Sequence, residues 1–239
     1  MLEDGWVFDF QRLFIVGAGL ILKLKSELSE GFLSKIENII FDLGGVIVGL
    51  DESQTKEKFK NLLGLLDYSN GAHVKHFHDI ETGTVEPAEF RRNLRQLAFL
   101  NGKEYPNDKD LDQAWNSMIL KVPTKNVDLL RRLKEDYSIF LLSNTNAIHL
   151  NYFMNHAFEN DMDFVRFERL FKATYYSHKI GCRKPSREAY QIILDDHDLN
   201  PEKTLFVDDN LPNFSGAVDL GIRCFHLVGD LTDLPLLKG

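Results

Sequence analysis

The chain has 239 residues, of which 44% are hydrophobic and 27% are charged, enough for one soluble domain with a modest insertion. Its formal net charge of -8 argues against a nucleic-acid-binding protein, because such proteins usually carry a basic surface. The 2 cysteines, neither of them in a CxxC motif, exclude a disulfide framework and predict a cytoplasmic protein.

Residues 1–25 are predicted to form an N-terminal extension outside the core fold. Their apolar segment, residues 13–22, is far shorter than the ~20 residues that cross a bilayer. Glu3, Asp4 and Asp9 precede it where a signal peptide carries positive charge, and no clear cleavage site follows. We therefore expect neither a membrane anchor nor a secreted protein.

Alternating strands and helices are predicted for most of the remaining chain. Apolar runs predict strands at 38–41, 138–142, 173–176, 204–207 and 223–227. Helical periodicity predicts helices at 126–135, 187–195 and 213–220. Such alternation with short connections predicts an α/β fold with a right-handed, doubly wound, parallel Rossmann-like sheet. We assign residues 26–50 and 122–239 to this core.

Residues 51–121 show a different pattern, because only helices are predicted there. Four amphipathic segments follow one another, and the third begins at Glu86-Pro87, where proline is tolerated at the first helical turn. The sequence therefore predicts a helical insertion after the first core strand. Its connections to the core, at 48–53 and 121–124, are the expected hinges.

Polar residues follow three of the predicted strands directly, and a lysine lies in a turn between two of them. Because the carboxyl ends of parallel strands are where open α/β sheets bind ligands, these residues are expected to form one active site. The residues are Asp42, Ser143 with Asn144, Lys184, and the pair Asp208 and Asp209.

This ordered set resembles the haloacid-dehalogenase-like hydrolase superfamily over residues from about 36 to 228. The phrases Leu-Ser-Asn-Thr-Asn, Arg-Lys-Pro and Asp-Asp-Asn are most similar to small bacterial sugar-phosphate phosphatases of the glucose-1-phosphate type. The resemblance implies a magnesium-dependent phosphatase that acts on a small phosphorylated metabolite. It also implies that the helical insertion is a cap domain, which can exclude water from the site.

The resemblance assigns catalytic roles to Asp42 and Lys184. Asp42 would be the nucleophile that forms an aspartyl-phosphate, which water then hydrolyses. Lys184 would offer a fixed positive charge to the phosphate and restrain the Asp42 carboxylate. Phosphate contacts are implied for Leu43, Gly44, Ser143, Asn144 and Lys184.

The same resemblance implies a Mg²⁺ site, and two adjacent carboxylates at one pocket would repel each other without a cation. Direct ligands would be Asp42, Asp209 and the backbone carbonyl of Gly44, whereas Asp208 would act through water or pair with Lys184. This requires the carboxylates of Asp42 and Asp209 to be close enough to share an ion. Two further residues have equal alternatives, support of the metal loop or helix N-capping: Asn210 and Asn213.

The chain departs from the superfamily at Gly44, where most of its phosphatases have a second Asp that protonates the leaving oxygen. General acid–base help is worth about 10²–10⁴ in rate, so its loss would slow the enzyme without abolishing activity. Without an acid, leaving groups that depart readily, such as an anomeric hydroxyl, would be favoured. Substitute acids are sought among Asp51, His76, His78, Asp79 and Glu81.

Two alternatives stay open at this point. A non-catalytic protein could retain the phosphate pocket after losing the acid. A haloacid dehalogenase shares the fold and also lacks the second Asp, but it needs no metal, and the Asp208-Asp209 pair would then lack its cation. The oligomeric state cannot be read from the sequence.

Overall fold

A central sheet with parallel core strands organises the molecule. The computed structural model describes residues 7–8, 36–69, 71, 73–158, 162–234 and 236. Its strands lie in the order β1-β6-β5-β2-β3-β4, and all neighbours pair in parallel except β1 with β6. The strands are β1 (Val7–Phe8), β2 (Asn38–Phe41), β3 (Ser138–Ser143), β4 (Ala173–Tyr176), β5 (Thr204–Asp208) and β6 (Arg223–His226).

The N-terminal prediction is wrong at one point. Val7–Phe8 pairs antiparallel with Phe225 and Cys224, so these residues extend the core sheet rather than lying outside it. The physical reason is the open edge of β6, whose unpaired backbone groups offer partners to another strand. The rest of residues 1–25, with the apolar segment 13–22, lies outside the described residues.

Helices cover both faces of the sheet, as the doubly wound prediction requires. One face packs mainly against α5 and α6, the other against α9 and α10. The helices are α1 (Glu52–Leu63), α2 (Val74–Glu81), α3 (Pro87–Leu100), α4 (Asp108–Asn116), α5 (Thr124–Asp136), α6 (Ala147–His156), α7 (Phe164–Glu168), α8 (Ser177–Ile180), α9 (Arg187–His197) and α10 (Phe214–Val218).

The register of the central strands determines where the polar strand ends meet. Phe41 of β2 lies opposite Leu141 of β3 and Val207 of β5. The residues that follow Phe41 and Val207, namely Asp42 and Asp208, therefore lie at the same edge of the sheet. Because β2 is buried along its whole length, its side chains pack on both faces and hold this register in place.

The helical insertion has a hydrophobic core of its own. Phe59 stacks on Trp115 with ring centroids 5.6 Å apart, and Phe77 and Phe90 pack edge-on against each other at 5.5 Å. Asp51 caps α1 by accepting from Ser53 N, and Pro87 opens α3 at its first turn. The four predicted helices of residues 51–121 are thus present as α1 to α4.

The two connections between the core and the insertion run side by side. Leu50 and Ile119 form an antiparallel bridge, and the N–H of Leu120 donates to Gly49 O at 3.1 Å. These segments include the expected hinges, although movement about them stays a prediction. In the described part of the chain, no helix has the length and apolarity to cross a membrane. Cys182 and Cys224 are free, and the cytoplasmic location also stays a prediction.

Candidate active site

A fully buried lysine joins two carboxylates at the carboxyl edge of the sheet. Lys184 Nζ lies 2.7 Å from Asp42 Oδ1 and 2.6 Å from Asp208 Oδ2. Burial disfavours the charge on Lys184, but both carboxylates favour it, and the net effect raises the pKa of Lys184. The cluster therefore brings together residues that are far apart in the chain. Lys184 and Asp208, for example, differ by 24 in residue number.

Asp208 is held in position on every side. Its Oδ1 accepts from the backbone N–H of Asn210 at 2.7 Å, and Asn213 Nδ2 donates to Oδ1 at 3.1 Å and to Oδ2 at 2.9 Å. Neither asparagine makes a side-chain cap at the helix that follows it. Asn213 supports the acidic loop with its side chain, whereas Asn210 does so only with its backbone N–H. Asp208 pairs with Lys184, one of the two roles expected for it.

Asp209 approaches the turn after β2 because Gly45 has no side chain. A Cβ built on Gly45 would lie 2.1 Å from Asp209 Oδ2, and the φ of +76° at Gly45 is in the left-handed region that favours glycine. As a result, Asp42, Asp208 and Asp209 each offer an oxygen within 4.8 Å of the others. The carboxylates of Asp42 and Asp209 are thus close enough to share an ion.

The charges at this edge do not balance without a cation. Three carboxylates converge there. Among the described residues, Lys184 pairs with two of them, Asp42 and Asp208. Burial raises the pKa of Asp42 to about 7 against the opposing effect of Lys184, and burial followed by the charge of Asp208 raises the pKa of Asp209. Since Mg²⁺ prefers oxygen ligands and would relieve this repulsion, the donor set fits it.

The backbone N–H groups next to Asp42 are partly engaged. The N–H of Leu43, predicted to contact phosphate, donates to Asp42 Oδ1 at 2.7 Å and so orients this carboxylate. Gly44 follows at the start of the turn, close to the side chain of Leu50. Phosphate contacts at Leu43 and Gly44, and a metal contact of the Gly44 carbonyl, stay predictions.

Asn144 has a different role from the one predicted for its amide. Asn144 Nδ2 donates to Lys184 O at 2.9 Å, and Asn144 Oδ1 accepts from Lys184 N at 2.8 Å. The side-chain amide therefore holds the lysine turn with its oxygen and one of its two N–H groups, and the predicted phosphate contacts of Asn144 stay predictions. Ser143 ends β3, is buried, and lines a cavity between the sheet edge and the helical insertion.

A cavity of about 200 Å³ separates the sheet edge from the helical insertion. We call its two sides the floor and the roof. On the floor, the strand-end residues Leu43, Gly44, Ser143 and Asn144 line the cavity. We count as part of the floor the charged cluster that adjoins them, because Asp42 precedes Leu43 and the backbone of Lys184 is bonded to Asn144. This cluster consists of Asp42, Lys184, Asp208 and Asp209. The roof consists of residues of the insertion that line the cavity, namely Glu52, Tyr68, Glu81, Trp115, Met118 and Ile119.

Among the five substitute acids considered from sequence, Glu81 lines this cavity and the other four do not. Glu81 Oε2 lies 2.8 Å from Nε of Arg183, the residue that directly precedes Lys184 in the chain. Arg183 was part of the Arg-Lys-Pro motif, but no sequence signal linked it to a residue about 100 positions earlier. The Glu81–Arg183 pair is therefore a feature that only the folded chain reveals.

The chain is similar to several known proteins. The haloacid dehalogenase-like hydrolase family matches residues 36–221. A D-ribitol-5-phosphate phosphatase of Bacteroides thetaiotaomicron is 31% identical over 195 residues, covering 80% of this chain and 91% of the relative. A sesquiterpene phosphatase of Aspergillus oryzae is 25% identical over 201 residues, covering 83% of this chain and 93% of the relative.

Solved structures give the same result. A HAD family enzyme from Bacteroides thetaiotaomicron, in a magnesium complex, superposes with a TM-score of 0.72 at 34% identity, covering 81% of this chain and 93% of that one. Another structure of that enzyme contains magnesium and inorganic phosphate. The fold and the phosphatase class predicted from sequence are confirmed, and the chain belongs to the haloacid dehalogenase-like hydrolase family.

Proposed function

We propose that this phosphatase hydrolyses phosphomonoesters of small polyhydroxylated alcohols, sugars or sugar alcohols, with Mg²⁺ as cofactor. The observation that carries the proposal is the buried cluster of Asp42, Lys184 and Asp208, with Asp209 within 4.8 Å of both aspartates. A nucleophile, a fixed positive charge and a set of oxygen ligands are the parts that phosphoryl transfer needs.

Asp42 is the proposed nucleophile. Its carboxylate attacks phosphorus, the ester oxygen leaves, and the aspartyl-phosphate is hydrolysed by water to return phosphate and Asp42. Lys184 holds the carboxylate in place through its 2.7 Å contact and offers positive charge to the phosphate oxygens. Asp42, Asp209 and the carbonyl of Gly44 would hold Mg²⁺, which when bound neutralises negative charge on the transferred phosphoryl group.

The substrate class is inferred from the roof. Tyr68 and Trp115 provide aromatic surface, while Glu52 and Glu81 provide carboxyl oxygens that accept hydrogen bonds from hydroxyl groups. A cavity of about 200 Å³ is suited to a small leaving group. The Glu52 carboxylate also repels a leaving group that carries its own negative charge. The relative named for D-ribitol-5-phosphate supports this class, since ribitol is a neutral polyol.

The two alternatives have less support. A dehalogenase would gain nothing from the converging carboxylates of Asp42, Asp208 and Asp209, because that reaction needs no cation. A binding protein without catalysis would not need the 2.7 Å contact that restrains the Asp42 carboxylate, and both relatives described above by sequence are phosphatases.

Phosphate release from a panel of esters, with Mg²⁺ and with EDTA, tests the proposal. Ribitol 5-phosphate, glucose 1-phosphate and p-nitrophenyl phosphate represent neutral leaving groups, and 2-phosphoglycolate represents an acidic one. We expect Mg²⁺-dependent release from the neutral esters, slower release from 2-phosphoglycolate, and a loss of about 10³-fold or more in Asp42→Asn. Tight binding of these esters without turnover would instead establish the binding-protein alternative.

A further inference from the structure

Position 44 cannot supply the proton donor that the leaving oxygen requires. A Cβ built on Gly44 would lie 2.7 Å from Leu50 Cδ1, so the space that a side chain at this position would enter is filled by Leu50. Leu50 belongs to the connection between β2 and the insertion. The local structure is therefore adapted to an absent side chain, and an acid must come from another part of the cavity.

Three ionisable residues on the cavity wall are poorly suited to donate a proton. Burial lowers the pKa of His149 to about 3, and the single proton of its neutral ring is directed from Nδ1 to Asn116 Oδ1, 2.9 Å away. Burial, followed by the charge of Glu52, raises the pKa of Tyr68, which makes the phenol a weak acid. Glu52 itself is 55% exposed and pairs with Lys56 at 3.2 Å.

Glu81 differs from these residues because it is both enclosed and fixed. Its side chain is 18% exposed, and Oε2 lies 2.8 Å from Arg183 Nε. The turn after α2 rests on the core, since a Cβ on Gly83 would lie 2.3 Å from the carbonyl oxygen of His178. These two contacts fix the end of α2 relative to the turn that carries Lys184.

The surroundings of Glu81 also favour its protonated form. Burial raises the pKa of Glu81, and the positive charges of Arg183 and Lys184 only partly oppose this effect. The Tyr68 phenol also interacts with Glu81 and adds no positive charge. An enclosed carboxyl of this kind keeps its proton closer to neutral pH, as a general acid must.

We propose that Glu81 is the acid–base residue of the reaction, in place of the carboxyl missing at Gly44. This rests on the proposed phosphatase function. Asp42 forms a bond to phosphorus as the bond to the leaving oxygen breaks, and that oxygen takes the proton of Glu81. The Glu81 carboxylate then accepts a proton from the water that attacks the aspartyl-phosphate, which releases phosphate and restores both residues.

The test compares Glu81→Gln with the wild type on two leaving groups. Ribitol 5-phosphate leaves as an alkoxide that needs a proton, so its kcat should fall by about 10²–10⁴-fold. p-Nitrophenyl phosphate has a good leaving group, so its first step should survive while hydrolysis of the aspartyl-phosphate slows. We therefore expect a burst of about one nitrophenolate per enzyme in Glu81→Gln, followed by slow turnover.

Asp79→Asn is the matched control, because Asp79 lies on the same helix and pairs with Lys75 at 2.6 Å but does not line the cavity. It should retain the wild-type rate, and Glu81→Asp should recover part of the lost rate. If Glu81→Gln unfolds at a lower temperature than the wild type, the double variant Glu81→Gln/Arg183→Gln is tested instead, because it also removes the unpaired charge of Arg183. Equal slowing of both esters without a burst, or a change in KM alone, would refute the acid–base role.

Failure of the underlying phosphatase function would have a different result. In that case the wild type itself would release no phosphate with Mg²⁺, whatever residue occupies position 81. If the wild type is active and Asp42→Asn is not, the phosphatase function holds. The burst and the leaving-group comparison then decide the role of Glu81.

Discussion

The floor and the roof of the cavity are built in different ways. Most residues of the floor lie at the ends of neighbouring strands, and the pairing of these strands fixes their positions. Lys184 and Asp208 are completely buried there. Glu81 of the roof lies on a separate helix and reaches the site through one ion pair and one turn contact. Many constraints therefore fix the phosphate end of the substrate, whereas few fix the group around its leaving oxygen.

This difference predicts which variants affect every substrate and which affect only some of them. A floor held by strand register tolerates little change, because moving one strand by one residue would turn its side chains to the other face. A roof residue can change with few consequences for folding. We therefore expect variants of the floor to affect all substrates, and variants of the roof to affect them according to the leaving group.

Lys184→Met should have the largest effect, because it breaks the floor at its centre. Without the lysine, Asp42 and Asp208 would be buried next to each other with no positive partner, which should cost about 3–5 kcal/mol of stability. Activity should fall by about 10³-fold or more on every ester, since both the nucleophile and the phosphate lose their cation. Chemical denaturation in EDTA and phosphate release with Mg²⁺ measure the two effects.

Lys203→Met is the control for this variant. Lys203 pairs with Glu37 at 2.6 Å on the surface, where both side chains are substantially exposed. Such pairs contribute about 0–1 kcal/mol, and activity should not change. A loss of stability in Lys184→Met no greater than in Lys203→Met would show that the buried cluster is not what holds the floor together.

Gly45→Ala should weaken Mg²⁺ binding by about 10- to 100-fold, because the new methyl group would displace the Asp209 carboxylate. Gly102→Ala is a close control, since Gly102 also has a positive φ, +67°, but no atom within 4 Å of the place that a methyl group would occupy. Both variants should lose about 1–2 kcal/mol from backbone strain. Only Gly45→Ala should need more Mg²⁺ for half-maximal activity, and equal requirements in the two would exclude Asp209 as a ligand.

The same contrast explains how much of the molecule could be predicted from sequence. Asp42, Lys184, Asp208 and Asp209 follow or lie between apolar strands, and this local pattern predicted that they meet at one edge. The bounds of β2 and β4 also match the predicted ranges residue for residue.

Other features depend on tertiary contacts that a sequence pattern does not specify. The amide of Asn144 holds the backbone of Lys184, 40 positions away, although a strand-end asparagine is equally suited to contact a phosphate. Glu81 was one of five candidates with similar local context, and its choice needed the position of Arg183. Gly45 was visible as part of a Gly-Gly turn, but the close approach of Asp209 was not.

Gly83→Ala should change the roof while leaving the floor intact. The new methyl group would press on the carbonyl of His178 and shift the end of α2 away from the core. We expect the kcat for ribitol 5-phosphate to fall by roughly 10-fold, because Glu81 is moved but not removed. The Mg²⁺ requirement should stay that of Gly102→Ala, which has the same backbone strain. An altered Mg²⁺ requirement would mean that floor and roof are coupled.

Restoring an acid to position 44 should have the smallest effect and gives the sharpest comparison. In the Glu81→Gln background, Leu50→Ala opens the space next to Gly44, and Gly44→Asp then places a carboxyl there. We expect the kcat for ribitol 5-phosphate to rise by about 10-fold over Glu81→Gln, short of the wild type because the new carboxyl is not held in position. Gly44→Asn/Leu50→Ala in the same background fills the same space with a side chain that cannot act as an acid. If the asparagine variant recovers as much activity as the aspartate variant, the gain comes from packing, and the acid is not what the Glu81→Gln enzyme lacks.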